Sequence, residues 1–323
     1  MNAHLKLADK PDTAEVHRAE PDNAAAVRAV PLTLDKQLSV EQAFRRIAAN
    51  CCTQITANHA AVARGNAPEA LHQMRVGLRR LHSALDLFGA LLELPEPLRR
   101  DLAWLGKELG AARDWDVLAS ATLPRVAEDL PDDLELVLVR LAAETRANDL
   151  RAAAGDAVSS ARYADMMRTL AGWLHDAEWR GHCTARQRRA LGKPAAAFAD
   201  QALHASRKRL LKRGGKLKSA GAKARHRVRI AAKKARYATE FFQSLYARKR
   251  VRPFVKALSG LQDELGWLND TAVADGLLKK LQHGEARLDG SAAYTRGYLA
   301  STARGKGKLL RLWRGFKKHQ APA

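Results

Sequence analysis

The chain has 323 residues, and 56 Lys and Arg stand against 34 Asp and Glu, a formal net charge of +22. Hydrophobic residues make up 46%, which excludes a disordered basic tail, and aromatics only 6%, which argues against a base-stacking platform. Such an excess of positive charge repels itself in a folded chain and is best tolerated opposite a polyanion: nucleic acid, an anionic membrane surface or an inorganic polymer of phosphate.

Residues 1–33 are polar, carry Pro11, Pro21 and Pro31, and read as a flexible tail. The opening MNAHLKLADK has no apolar h-region, and no apolar run approaches a membrane span, so neither a secretory signal nor a transmembrane segment is expected. Cys51, Cys52 and Cys183 give neither a disulfide framework nor metal-ligand spacing, which fits a reducing cytoplasm. From Leu34 onward the pattern is helical, rich in Ala and Leu and without strand-like alternation. Breaks are expected at Gly65–Pro68, Pro95–Pro97, Pro131, Gly155, Gly181, Gly192–Pro194, Gly214–Gly221, Pro253 and Gly284–Gly290. They leave roughly ten to twelve helices of an all-α fold.

The chain repeats itself. LHQMRVGLRRLHSALDLF (71–88) lies over RHRVRIAAKKARYATEFF (225–242) at an offset of 154, pairing His72 with His226, Arg75 with Arg229, Arg79 and Arg80 with Lys233 and Lys234, and Phe88 with Phe242. A second block follows each first one: LGKELGAARD (105–114) lies over LQDELGWLND (261–270) at an offset of 156, pairing Gly110 with Gly266 and Asp114 with Asp270. Extended backward, that register pairs Arg100 with Lys256. The expected organisation is a tail (1–33) and two helical halves (34–190 and 191–320) related by duplication and by a pseudo-two-fold axis.

Helical spacing puts His72, Arg75, Arg79, His82 and Ser83 on one stripe, beside an apolar stripe of Met74, Leu78, Leu81, Leu85 and Phe88. The second copy puts His226, Arg229, Lys233, Arg236 and Tyr237 on one stripe, and Arg80 and Lys234 sit apart in their respective copies. Between Gln201 and Thr239 there is no acid at all and there are 14 Lys and Arg. A basic stripe on a single helix is ordinarily solvated surface, and a lone histidine is ordinarily a core or capping group. Cations at i,i+3 and i,i+4 repel, however, so the recurrence of the whole arrangement favours an anion site, and phosphate matches the bidentate grip of Arg and the point charge of Lys. Phe88, Phe242, Leu109 and Leu265 read as core, Gly110 and Gly266 as close-packing or helix-ending glycines, and Asp114 and Asp270 as helix caps before orienting groups.

No nucleotide-binding glycine motif or zinc-protease motif is present, and the acids do not cluster for metal-dependent phosphoryl transfer. His72 and His226 have no base or metal ligand beside them in sequence, so no catalytic residue, metal or cofactor is expected, and the chain reads as a binder and not an enzyme.

The motifs His72-x-x-Arg75-Val76-x-x-x-Arg79-Arg80-Leu81 and His226-x-x-Arg229-Ile230-x-x-x-Lys233-Lys234-x-Arg236-Tyr237, with the blocks at 109–118 and 261–270, resemble the CHAD family, the conserved histidine α-helical domain. The likeness covers about residues 34–318, so the chain resembles a stand-alone member without the fused triphosphatase-type domain. His82 stands where that pattern usually has Arg, and Ala235 where it usually has Leu. The resemblance implies two antiparallel helical bundles around a basic central pore. It implies binding of inorganic polyphosphate, which bacterial cells keep in cytoplasmic granules. The implied binding residues are His72, Arg75, Arg79, Arg80, His226, Arg229, Lys233, Lys234 and Arg236, to which stripe and register add His82, Arg100 and Lys256. The competing readings are a nonspecific nucleic-acid binder, with nucleic acid the weaker partner in any case, and a structural protein of a granule surface.

Overall fold

The computed structural model describes residues 26–129, 134–284, 286–302 and 307–323. Helix α1 (Val40–Ala57) starts at a reciprocal cap: the Ser39 hydroxyl accepts from the Gln42 backbone N–H, and the Gln42 side chain accepts from the Ser39 N–H. A short α2 (His59–Ala63) precedes the first basic helix, α3 (Pro68–Phe88), which opens on a proline whose missing N–H costs nothing in the first turn. Helix α4 (Glu96–Val117) runs through a π-helical turn at Leu118–Thr122 into α5 (Leu123–Asp129). Then come α6 (Leu134–Ser159), α7 (Ala161–Asp176), α8 (Trp179–His182) and α9 (Ala185–Leu191). The remaining helices are α10 (Ala195–Gly214), the second basic helix α11 (Ala222–Phe242), α12 (Arg248–Gly284), α13 (Asp289–Thr302) and α14 (Gly307–Lys317). The fold is all-α: among the described residues the only β-type pairing is an isolated bridge between Ser39 and Pro194.

The described residues hold fourteen α-helices, more than the ten to twelve expected, because short helices such as α2 and α8 sit within connections. Two expected breaks are absent. Pro253 lies inside α12, just past its first turn, where it forfeits a single backbone bond. Gly155 lies inside α6, where a Cβ would come within 2.9 Å of the Ala63 carbonyl oxygen; it is a close-approach residue for the α2–α6 packing. Gly181 lies in the one-turn α8, within the connection between α7 and α9, so the break expected there is present. The break expected at Pro131, like residues 1–25 of the expected tail, lies outside the described residues. The last part of that tail is not loose. Val27 exchanges two hydrogen bonds with the buried Asn58 side chain, and the Val30 carbonyl accepts from Asn50.

Helices α3 and α11 are both 21 residues long and begin and end at positions 154 apart. They pack on each other, α3 also on α4 and α11 also on α12, which brings the two basic stripes together. The cores cross the 190/191 division. One gathers Phe44, Phe88, Trp173 and Trp179 with Phe241 and Phe242 of α11. Another gathers Trp115, Leu123 and Val139 with Leu278, Ala292 and Leu299. These shared cores hold the α3–α11 contact in place, so the basic stripes are held by apolar burial elsewhere and not by their own charges.

Candidate anion-binding site

Between α3, α4, α11 and α12 lies a cavity of about 670 Å³. Its walls repeat. His72 and His226, Arg75 and Arg229, Arg79 and Lys233, and Ser83 and Tyr237 line it from α3 and α11 at the offset of 154. Arg113 and Asn269, Asp114 and Asp270, and Val117 and Val273 line it from α4 and α12 at the offset of 156. The helical period explains the selection: on α3 and α11 the lining positions recur at three- and four-residue steps, and the intervening apolar stripe turns into the cores.

Eight of the twelve residues expected from sequence line this cavity: His72, Arg75, Arg79, His82, His226, Arg229, Lys233 and Lys234. The other four do not. Arg80 is buried, with 6% of its surface exposed; it donates to the Gln54 and Asn50 side-chain oxygens at 2.9 Å each and lies over the Phe241 ring. It is an internal strut, because its position on the helix faces α1. Arg236 is turned along its own helix, with an ion pair to Glu240 at 3.1 Å, and rests against Tyr237. Arg100 is exposed on α4 one turn before the lining residue Ala103. Lys256 is exposed on α12, 13 residues before Asn269 and so about 20 Å along the helix axis from it.

The carboxylates differ from the capping role expected of them. Asp114 and Asp270 are inside α4 and α12, not at helix starts, and reach Arg75 at 3.7 Å and Arg229 at 3.9 Å. Gly110 makes room for the first pair: a Cβ there would stand 2.6 Å from Arg75 Nη1. Gly266 has no neighbour within 4 Å of where its Cβ would be, so the close-packing role holds for one copy only. Arg113 escaped the sequence reading because its counterpart is Asn269, not a cation; its place beside Asp114 in the repeated block was the available signal.

Six Lys and Arg against two Asp leave the cavity strongly positive. Burial and then the neighbouring Arg79 lower the pKa of Arg75, and burial lowers that of Arg229. Burial, followed by repulsion from Arg229 and Arg79, brings the Lys233 ammonium down to about 7. Burial and then Arg113 bring His72 down to about 4, so its imidazole is neutral near neutral pH. Burial, and Asp270 opposite, raise the Asp114 carboxyl. Several buried nitrogens here have no hydrogen-bond partner: His72 Nδ1 and the Nε atoms of Arg75, Arg79 and Arg229. His82 Nδ1 donates to the Leu78 carbonyl at 2.9 Å, which leaves Nε2 as the ring nitrogen without that bond. His226 Nδ1 lies 3.0 Å from Asn269 Oδ1, and Lys234 donates to Asp86 at 2.5 Å, tying α11 to α3. The cavity thus combines unpaired buried donors, crowded cations and depressed basicity, a chemistry that a densely charged anion would complement.

A family model for the CHAD domain matches residues 46–279. The crystal structure of the CHAD domain from the plant Ricinus communis is 40% identical, with a TM-score of 0.83, covering 93% of this chain and 99% of that one. PptA from Streptomyces chartreusis shares the fold at 15% identity, with a TM-score of 0.59, covering 87% of this chain and 99% of that one. No curated protein matches.

Proposed function

The chain belongs to the CHAD domain family, and from that premise we propose that it binds inorganic polyphosphate in the cavity between α3 and α11. One observation carries the reading: two copies of a His-x-x-Arg-x-x-x-Arg/Lys stripe face one cavity, with six Lys and Arg over two Asp. A linear polyanion of identical phosphates needs no base-reading groups and asks only for cations at short, regular intervals on more than one side. Arg75, Arg79, Arg113 and Arg229 supply bidentate donors, Lys233 and Lys234 point charges, and His72 an N–H. The polymer threads the cavity as through a pore, and each half of the pseudo-symmetric pair grips one stretch of it.

The same reading makes the protein a binder and not an enzyme, and it sends the protein to polyphosphate-rich granules in the cytoplasm. Phosphate release from polyphosphate, measured with and without divalent metal, tests the first point. Imaging a fluorescent fusion in cells with and without the polymer tests the second. Among the described residues no helix is long and apolar enough to cross a membrane.

Calorimetric titration of long-chain polyphosphate into the wild type and into Arg75→Ala/Arg229→Ala, with duplex DNA as competitor, tests the binding itself. Binding by the wild type that is lost in the variant and not displaced by DNA supports the reading. Binding that survives the variant, or DNA that competes on equal terms, sinks it in favour of diffuse nucleic-acid binding.

A further inference from the structure

Helix α6 is apolar on two opposite faces. Leu136, Val139, Ala143 and Ala147 are buried in the core shared with α12 and α13. On the other side Leu134, Val137, Leu138 and Leu141 are between 47% and 79% exposed. Their spacing of i, i+3, i+4 and i+7 makes one continuous stripe. A surface helix ordinarily turns a polar face to water, and a contiguous apolar stripe left exposed marks an interaction surface.

The internal repeat supplies a control. At the offset of 156, the buried Leu136, Val139 and Ala143 fall on Ala292, Thr295 and Leu299 of α13, which are buried too. The exposed Leu134, Val137, Leu138 and Leu141 fall on Gly290, Ala293, Tyr294 and Gly297, exposed in their turn. The fold therefore closes without large aliphatic side chains at these positions, and the stripe on α6 serves something other than packing within the chain.

The stripe continues into a groove of about 390 Å³, walled by Leu138, Leu141, Ala142 and Thr145 of α6 and by Leu281 and Leu288 opposite. Leu134, the most exposed of the four stripe residues, stands eight residues before Ala142, about 12 Å along the helix axis. A protruding leucine and a groove thus share one face of one helix, the self-complementarity that a two-fold contact between identical copies requires. An axis crossing α6 midway between residues 139 and 140 lays the helix antiparallel on its copy. It sets Leu138 against Leu141 of the second copy and Leu134 over the Thr145 end of the other groove. On the same flank it brings Glu135 within one turn of Arg146 of the second copy, a charge that Asp149, at 3.8 Å, only partly offsets. Charge also favours this face for self-association. The chain as a whole carries +22 and repels its own copies, but between Leu134 and Asp149 three acids stand against two arginines. A stable pair takes about 800 Å² from each copy, and the groove walls of α12 extend the stripe towards that footprint.

We propose that the protein pairs with a second copy of itself through α6, antiparallel and across a two-fold axis, with Leu134 of each copy in the groove of the other. The inference is independent of polyphosphate binding. The pair carries two central cavities on one body, whatever anion they hold.

Sedimentation equilibrium of the full chain tests the pairing. At about 50 µM the wild type is expected at twice its mass of 35.5 kDa. Leu134→Gln/Leu138→Gln/Leu141→Gln, which leaves the buried face of α6 intact, should be monomeric. Glu135→Arg should raise the dimer dissociation constant about tenfold, and Glu135→Arg/Arg146→Glu should return it to within about threefold of the wild type. Tyr294→Ser, at the matching position of α13, should leave it unchanged. A wild type that stays monomeric at this concentration overturns the pairing and leaves the stripe to another partner. A dimer that survives the leucine variant, or that is lost equally in Tyr294→Ser, overturns it as well. A charge-exchanged variant that dissociates as readily as Glu135→Arg overturns the antiparallel contact.

Discussion

Arg75 and Asp114 meet at 3.7 Å across the α3–α4 packing, and Arg229 and Asp270 repeat that meeting at 3.9 Å across α11 and α12. Both separations are too long for a direct hydrogen bond, so the carboxylates hold the guanidinium groups by charge and take up none of their N–H donors, of which Arg75 Nη1 donates to the Gly106 carbonyl at 3.4 Å. Each carboxylate also offsets part of the charge of its partner, and the two lie close enough for Asp270 to raise Asp114. The free cavity is thus a compromise. Two acids limit the repulsion among six cations, and on the proposed function a polyphosphate chain that replaces them as the counter-charge is expected to stabilise the fold by linkage.

The double variant Asp114→Asn/Asp270→Asn separates the two roles of these carboxylates. If they act chiefly as counter-charges, their removal frees Arg75 and Arg229 for phosphate and tightens polyphosphate binding by about threefold to tenfold, at the cost of a lower melting temperature without ligand. Titration calorimetry and thermal melts on one preparation read both quantities. Weaker binding in the variant would mean instead that the carboxylates aim the guanidinium groups.

Gly110 gives a sharper handle on Arg75. An alanine there places its methyl 2.6 Å from Arg75 Nη1, and because the far end of a flexible side chain is what must move, the helix packing survives. Gly110→Ala is expected to fold with the wild-type circular dichroism spectrum and to bind polyphosphate about tenfold more weakly, the order of one lost charge-assisted contact of about 1.5 kcal/mol. The counterpart Gly266→Ala meets nothing within 4 Å and should bind as the wild type does. Equal effects of the two substitutions would rule out the displacement of Arg75 as the cause.

Arg80 is expected to behave as a structural residue. Arg80→Met keeps the length of the side chain but leaves the Gln54 and Asn50 oxygens without their donor in a buried site. The cost is about 2–4 kcal/mol of stability, and a melting temperature lower by about 2–4 °C for each kcal/mol. The salt slope of polyphosphate binding should not change, since the group does not face the cavity. A shallower slope without loss of stability would return Arg80 to the binding residues.

The site was legible in the sequence wherever a repeated cation fell on a repeated face. His72, Arg75 and Arg79 and their counterparts followed from the two periods, 154 and 156, combined with the helical stripe. Arg80 and Arg236 were misplaced because a helical wheel gives the angle of a side chain but not the neighbour it meets: α1 offers Gln54 and Asn50 to the one, and Glu240 lies one turn from the other. Arg113 was hidden because the repeat pairs it with Asn269. Asp114 and Asp270 look like caps only until α4 and α12 are seen to run past them, and the same continuity of α12 through Pro253 and of α6 through Gly155 is decided by tertiary packing. Burial was the quantity least visible beforehand. It makes His72 neutral, so the pH dependence of binding cannot be read from the presence of histidines.

That dependence is expected to follow Lys233. In the free protein its ammonium titrates at about 7, held down by burial and by Arg229 and Arg79, with Asp270 the acid that opposes them. Phosphate bound against it raises that value. Below about pH 7 the group is charged with or without ligand and affinity is at its highest; above, a proton must be taken up on binding, and affinity falls by up to tenfold per pH unit until the raised value of the complex is passed. Stability without ligand runs the other way. Between about 7 and the ordinary 10.5 the unfolded chain holds the proton and the folded one does not, so stability from this group rises with pH across that window. His72, at about 4, is neutral throughout. Calorimetry at pH 8 in two buffers of different ionisation enthalpy should therefore show close to one proton taken up per binding event, and Lys233→Met should abolish the uptake and flatten the pH profile. The same variant relieves repulsion in the free cavity and should melt about 2–4 °C higher at pH 7, for about 1 kcal/mol after solvent screening. Proton uptake that persists in Lys233→Met would assign the titration to another group, and a wild-type affinity flat from pH 6 to 9 would mean that phosphate does not reach Lys233.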